Sequence, residues 1–181
     1  EATLRDWVAR AYKAGILAID TETTSLTPAR ADMVGISLCV NVGEAAYIPL
    51  LHRKEMDLLG DRSDMPAQLS TAKVVDILKP LLEERSVLKI GHNVKYDWQI
   101  LAQHGIEMSP CDDTMLMSYV LDGSSHGHGM DELAELLLQH DTVKFKDIAG
   151  TGKKQITFDL VPLDVATNYA AEDADVTLRF Y

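Results

Sequence analysis

The sequence lacks the long apolar run that a membrane-spanning helix needs. None of its hydrophobic stretches approaches roughly 20 residues, and no cleavable secretory pattern opens the chain. Cysteine is also scarce: there are two, Cys39 and Cys111, and their spacing matches no metal-binding motif. Cys39 lies in an apolar, strand-like run. We therefore expect a reduced, buried thiol, no membrane partner and a cytoplasmic location.

The sequence also contains few basic residues relative to acidic ones. The 181 residues carry 17 Lys and Arg against 28 Asp and Glu, a net charge of −11. A protein that grips long duplex DNA through its bulk charge is usually basic, so this class of binder is excluded. Any contact with nucleic acid must be short and local, or a neighbouring domain must supply the affinity.

The hydrophobic content of 46% is enough for one domain with a sizeable core. The chain begins at Glu1 and ends inside a predicted helix. We therefore expect residues 1–181 to be a single domain excised from a longer chain. Nothing in the sequence indicates oligomerisation, so we expect a monomer.

Hydrophobic periodicity predicts an α/β domain with a mixed sheet. The predicted helices are 4–14, 71–85, 95–104, 113–121, 130–139 and 162–180. The predicted strands are 16–19, 33–41, 45–51 and 87–90. The second and third strands are joined by Val42-Gly43 and are expected to pair antiparallel. Polar or glycine-rich composition predicts loops at 59–68 and 123–129.

Three short clusters bring carboxylates together from distant parts of the chain: Asp20-Thr-Glu22, Asn93-Val-Lys-Tyr-Asp97 and Tyr169-Ala-Ala-Glu-Asp173. Residues two apart in a strand point the same way, so Asp20 and Glu22 can share a cation. Residues four apart in a helix are neighbours, so Tyr169 and Asp173 lie on one face. Asp97 begins a helix after a core strand, where ligands bind in α/β sheets.

Oxygen ligands of this kind favour Mg²⁺ or Mn²⁺ over zinc. Two such ions can activate water and stabilise the leaving oxygen of a phosphodiester. The alternative is that the residues act separately: Asp20 in a turn, Asp97 as a helix cap and Tyr169 as an ordinary core aromatic. The pattern itself leaves both interpretations open.

The three clusters resemble the three motifs of the DEDDy branch of 3′→5′ exonucleases. Five segments are similar, more narrowly, to the proofreading domains of bacterial polymerases of the DNA polymerase I type (family A). They are Asp20–Leu26, Ala46–Pro49, Gly91–Asp97, Ile148–Lys153 and Tyr169–Asp175. The similarity covers essentially the whole chain and implies an RNase H-like fold, with a mixed five-stranded sheet flanked by helices.

The resemblance also implies a mechanism. Asp20, Glu22 and Asp173 would hold a first Mg²⁺ or Mn²⁺, with Zn²⁺ possible there, and Asp97 would anchor a second ion. Tyr169 would orient the attacking water together with Glu22. The products would be deoxynucleoside 5′-monophosphates released from a DNA 3′ end, and a polymerase domain would lie in the same full-length chain.

The same resemblance implies contacts with single-stranded DNA. Leu26 and Phe145 would pack against the terminal bases, and Thr23 and Asn93 would hold the terminal nucleotide. Ordinary loop or core packing is the alternative for these side chains. Gly127 departs from the family pattern, because relatives can carry a basic DNA contact at this place; His126 or His128 would then substitute in part.

Two other functions remain open at this point. An exonuclease of the RNase D type would trim RNA with the same carboxylates and tyrosine. A catalytically silent scaffold or DNA-binding domain would have lost metal ligands, but all four carboxylates are present. The segment Gly150-Thr-Gly-Lys-Lys154 does not have the spacing of a P-loop and predicts no nucleotide site.

Overall fold

The computed structural model describes residues 1–53 and 67–181. Most of the predicted loop at 59–68 therefore lies outside the described residues. The helices are α1 (Ala2–Ala14), α2 (Thr71–Leu82), α3 (Lys95–Gln103), α4 (Thr114–Asp122), α5 (Met130–Leu133), α6 (Phe145–Ala149) and α7 (Leu163–Phe180). The strands are β1 (Ile16–Thr23), β2 (Met33–Asn41), β3 (Glu44–Pro49), β4 (Leu88–Gly91) and β5 (Cys111–Asp113).

The five strands form one mixed sheet in the order β3-β2-β1-β4-β5. β2 pairs antiparallel with both β1 and β3, which confirms the predicted antiparallel pair. β4 pairs parallel with β1 and with β5. The mixed five-stranded sheet flanked by helices is therefore confirmed.

Helices cover both faces of the sheet. Leu17 and Ile19 of β1 belong to the large core that also contains the apolar faces of α1, α2 and α3. Ala18, on the opposite face of β1, packs with Ala174 of α7. Because strand residues alternate between faces, the even-numbered side chains of β1 are directed toward α7 and the odd-numbered ones toward the layer of α1, α2 and α3.

Short-range chemistry sets where some of the helices begin or end. α1 ends at Gly15, which takes the left-handed conformation at φ 71°. The Ser70 hydroxyl accepts a hydrogen bond from the Lys73 amide at the start of α2. α7 begins at Leu163, one residue after the predicted start, and Pro162 is its N-cap.

Four elements differ from the sequence prediction. β1 continues to Thr23, so Asp20 lies within the strand and not at its end. The predicted helix 130–139 is α5 followed by one π-helical turn, Ala134–Leu138. Strand β5 and helix α6 were not predicted from periodicity, because three and five residues are too few for a period to show.

None of the helices in residues 1–53 and 67–181 combines the length and apolarity that crossing a bilayer requires.

Candidate active site

The site is built around the second half of β1. Asp20 and Glu22 are two apart in this strand, so both side chains are directed toward α7. Glu22 is buried, with 8% of its surface exposed. The strand thus carries two carboxylates into the layer between sheet and helix.

Helix α7 supplies the third carboxylate. Ala170 and Ala174 are fully buried, and their small side chains let the helix lie close to the sheet. Asp173 lies between them on the helix and is buried as well. Asp20, Glu22 and Asp173 each offer an oxygen, and these oxygens lie within 4.8 Å of one another. The structure therefore brings together three of the four carboxylates expected at one site.

Asp97 approaches from the other face of β1. The Thr21 amide and hydroxyl both donate hydrogen bonds to Asp97 Oδ1, at 2.9 and 2.6 Å. Asp97 is 2% exposed and is not part of the compact three-carboxylate group. It is near enough for the negative charge of Asp20 to raise its pKa, after the larger effect of burial. The fourth carboxylate thus borders the cluster, held by the residue between Asp20 and Glu22.

Burial and mutual repulsion dominate the electrostatics of the cluster. Burial raises the pKa of Asp20 to about 6. Burial and then the charge of Asp20 raise the pKa values of Glu22 and Asp173 well above the ordinary range. One oxygen, Glu22 Oε1, is buried without a hydrogen-bond partner among the described residues. Converging buried carboxylates with an unpartnered oxygen are a donor set that suits a divalent cation.

Tyr169 lies one helical turn before Asp173. Burial raises the pKa of its phenol, and the charges of Asp173 and Glu22 raise it further. The hydroxyl therefore keeps its proton at neutral pH and can donate a hydrogen bond at the cluster. It is too weakly acidic to act as a general base.

Phe145, at the start of α6, lies edge-on to Tyr169 with ring centroids 6.2 Å apart. It also stacks on Phe158 at 6.5 Å, and 36% of its surface is exposed. An aromatic ring with one open side stands directly beside the tyrosine.

Leu26 lies in the loop after β1 and is 95% exposed. The carbonyl of Ser25, just before it, accepts hydrogen bonds from the hydroxyls of both Thr23 and Tyr96. Thr23 Oγ1 and the Tyr96 hydroxyl are themselves 2.5 Å apart. Thr23 and Tyr96 therefore fix the backbone that presents Leu26.

Asn93 precedes α3 and adopts a left-handed conformation at φ 65°. Its amide donates to Asp113 Oδ1 at 2.9 Å, and the Val94 amide donates to Asp113 Oδ2 at 3.1 Å. Asp113 also caps α4 by accepting from the Met115 amide. This aspartate holds the turn that leads into Asp97.

Sequence reasoning missed four supporting residues: Thr21, Tyr96, Asp113 and Tyr47.

The Tyr47 hydroxyl lies 2.7 Å from His52 Nε2. Its ring covers Gly35, where a Cβ would come within 2.1 Å of that hydroxyl. Gly35 is the register partner of Glu22 on β2. Tyr47 and Tyr96 lie inside segments that carry the family resemblance, but their spacing gives no sign of these contacts.

His126 and His128 lie in the glycine-rich loop. The Ser118 hydroxyl is 2.8 Å from His128 Nδ1, and His128 Nε2 is 2.6 Å from the Gly123 carbonyl. Both nitrogens of His128 are thus engaged within the loop and α4. The Gly127 amide donates to Glu132 Oε1 at 2.8 Å, so this loop is tied down at two points.

Comparison with known proteins gives a consistent result. A family model described as 3′-5′ exonuclease matches residues 1–181. DNA polymerase I of Rhizobium leguminosarum is 48% identical over 189 aligned positions, which cover 99% of this chain and 18% of that protein. DNA polymerase I of Pseudomonas aeruginosa is 46% identical, over 97% of this chain and 19% of that protein. The chain thus spans about a fifth of the length of these relatives.

Solved structures with the same fold are more distant in sequence. NrnC of Brucella melitensis superposes with a TM-score of 0.66 at 23% identity, covering 93% of this chain and 71% of its own. Escherichia coli RNase D, an exoribonuclease, gives a TM-score of 0.67 at 20% identity, over 99% of this chain and 41% of its own. These likenesses show an RNase H-like fold.

Proposed function

The chain belongs to the 3′-5′ exonuclease family, and on this basis we propose that it removes deoxynucleoside 5′-monophosphates from the 3′ end of single-stranded or frayed DNA. The observation that carries the proposal is the convergence of Asp20, Glu22 and Asp173, with Asp97 at the border of the cluster. The identity to bacterial DNA polymerases favours DNA over RNA as substrate.

We propose that Asp20, Glu22 and Asp173 hold one divalent cation and that Asp97, together with Asp20, holds a second. Mg²⁺ and Mn²⁺ suit the oxygen ligands, and Zn²⁺ is a further candidate at the first position. Such ions acidify a water molecule and stabilise the leaving oxygen of a phosphodiester. The mutual repulsion of the carboxylates is relieved when cations bind.

The protein's own side chains position the reactants. Tyr169, which stays protonated, would donate a hydrogen bond that orients the attacking water, and Glu22 would accept one from it. Leu26 and Phe145 would pack against the last bases. Apolar and aromatic contacts of this sort accept any base, which suits removal of mismatched nucleotides regardless of sequence. Thr23 and Asn93 would contact the terminal nucleotide.

We further propose that the domain proofreads for a polymerase domain in the same polypeptide, in the bacterial cytoplasm. Similarity to polymerases about five times longer supports the first point. The two free cysteines, of which Cys39 is buried, fit a reducing compartment.

The test is digestion of a 5′-labelled oligonucleotide, as DNA and as RNA of the same sequence, with Mg²⁺, Mn²⁺ or EDTA. Stepwise shortening of DNA from the 3′ end, lost in EDTA, is the expected result. Preferential shortening of RNA would favour the RNase D-type activity instead. No cleavage by a folded chain would favour a silent scaffold.

Substitutions connect the activity to the cluster. Asp20→Ala and Asp97→Ala should both abolish hydrolysis and leave the circular dichroism spectrum unchanged. Asp164→Ala is the matched control, because Asp164 is an exposed carboxylate on α7 outside the cluster. Full activity in Asp97→Ala would refute the second cation position.

A further inference from the structure

Helix α4 has its polar side turned inward. Its buried residues are Thr114 and Ser118, which contact two histidines. Thr114 Oγ1 is 2.9 Å from His92 Nδ1, and the Ser118 hydroxyl is 2.8 Å from His128 Nδ1. A surface helix normally buries its apolar stripe and exposes its polar one. α4 does the reverse.

The outward side of α4 carries three large apolar side chains. Leu116, Tyr119 and Val120 stand at i, i+3 and i+4 and are 53%, 60% and 81% exposed. Contiguous exposed apolar side chains on a helix that buries its hydroxyls indicate a surface that another molecule covers. We call the side chains of Leu116, Tyr119 and Val120 the α4 face.

Charge limits what can cover this face. Between residues 96 and 143 the sequence has nine Asp or Glu and no Lys or Arg. Asp122, at the end of α4, is itself exposed. DNA would be repelled. A second copy of the chain would bring the same acidic segment, and another net charge of −11, against itself. The complementary occupant is an apolar surface with a basic rim.

We propose that the α4 face docks against the remainder of the longer polypeptide, on a surface that is apolar at its centre and carries Lys or Arg at its edge. This inference rests on the proposed function, since relatives of the DNA polymerase I type are about five times the length of this chain. Docking there fixes the exonuclease site relative to the rest of the protein through contacts outside the site.

Labelling by a maleimide tests the proposal. Val120→Cys is made in residues 1–181 and in the complete product of the gene, and modification of the introduced thiol is followed by peptide mass spectrometry. We expect fast labelling in the short chain and labelling at least about tenfold slower in the complete product. Val42→Cys is the matched reference, because Val42 is an exposed residue in the turn between β2 and β3. The labelling rate of this thiol is measured in both proteins as well.

A second substitution separates docking from local effects. Leu116→Glu is added to the Val120→Cys variant. The melting temperature of the short chain should not change, because Leu116 is exposed there. In the complete product, the added glutamate should restore fast labelling at position 120. Equal labelling at this position in both proteins would overturn the proposal. So would protection in the short chain itself with sedimentation as a dimer, which would assign the face to a second copy. A gene product no longer than this chain would overturn it as well.

The labelling readout does not depend on hydrolysis. The same preparations are assayed for 3′-end shortening of DNA. An active protein whose introduced thiol is accessible contradicts only the docking proposal, whereas an inactive protein whose introduced thiol is protected contradicts only the proposed function.

Discussion

Thr21 holds Asp97 with two hydrogen bonds to one carboxylate oxygen, from its amide at 2.9 Å and its hydroxyl at 2.6 Å. Thr21 stands between Asp20 and Glu22, and its side chain is directed to the opposite face of β1. One strand thus supplies two carboxylates to the α7 side and holds the carboxylate of Asp97 on the α3 side. The alternation within the Asp-Thr-Glu motif therefore directs the carboxylates of Asp20 and Glu22 to one face of β1 and the Thr21 hydroxyl to the other.

Thr21→Val should therefore impair the reaction without changing the fold. A hydrogen bond to a charged group contributes roughly 1.5–3 kcal/mol, so we expect kcat to fall by about 10- to 100-fold. The Mg²⁺ concentration for half-maximal rate should rise at the same time. Thr21→Ser keeps the hydroxyl and is the control that should retain most activity. A Val variant as active as the Ser variant would show that the hydroxyl has no part in positioning Asp97.

Tyr169→Phe should slow hydrolysis less than Asp20→Ala does. The substitution removes an orienting hydrogen bond and no metal ligand, so we expect a loss of about tenfold. Because the Tyr169 phenol stays protonated, the shape of the pH–rate profile between roughly pH 7 and 9 should not change. A loss as deep as that of Asp20→Ala would mean that Tyr169 does more than orient water.

Much of this site could be predicted from the sequence, because motif spacing and strand or helix period decide which side chains share a face. Asp20 with Glu22, and Tyr169 with Asp173, are pairs of this kind. Contacts between separate elements could not be predicted this way. The Tyr96 contact with Ser25 and the clamp on Asp97 join residues more than 70 positions apart.

In the fold, likewise, the long periodic elements could be predicted from the sequence and the short ones could not. The long periodic helices α1 and α7 and the strand β2 were predicted closely, whereas β5 and α6 are too short to show a period. Lys89 is a further case, because the sequence shows only a polar residue within a strand. Its fully buried ammonium donates to the carbonyls of Glu84, Val87 and Ser109, and the tertiary structure brings the last of these to it.

The metal-free protein should become more stable as the pH falls through about 6. The pKa of Asp20 is about 6 in the folded chain against 3.8 as its ordinary value. A carboxyl with a raised pKa binds its proton more tightly when folded. Stability is therefore gained as the pH falls through the folded-state value, and the gain is complete below the ordinary value. Glu22, Asp97 and Asp173, with pKa values raised well above the ordinary ones, extend the window upward.

Melting curves in EDTA measure this effect. We expect the melting temperature to rise by at least about 3 °C on acidification, the shift that roughly 1 kcal/mol produces in a domain of this size. Saturating Mg²⁺ should remove the rise, since cations bind the ionised carboxylates. Asp20→Asn should raise the melting temperature of the metal-free protein at the alkaline end. A metal-free protein that loses stability on acidification over this window would contradict the raised pKa values of the buried carboxylates.

Gly127→Arg should tighten the grip on single-stranded DNA. The family resemblance implies a basic contact at this place, and the glycine leaves it out. A Cβ at Gly127 would approach Glu132 Oε2 at 2.2 Å, but this atom is the end of a flexible side chain that can move aside. One added phosphate contact should lower KM by about three- to tenfold at low salt and steepen the salt dependence of log KM by about 0.7.

The nearby Glu132 carboxylate decides how large that gain is, because an ion pair between the introduced guanidinium and Glu132 would compete with the DNA phosphate. Adding Glu132→Gln should therefore lower KM further. Gly129→Arg is the matched control: a Cβ there meets no heavy atom within 4 Å, and the new charge lies two residues away. A KM that falls equally in both arginine variants would indicate general charge attraction, and an unchanged KM in Gly127→Arg would show that upstream phosphates do not pass this loop.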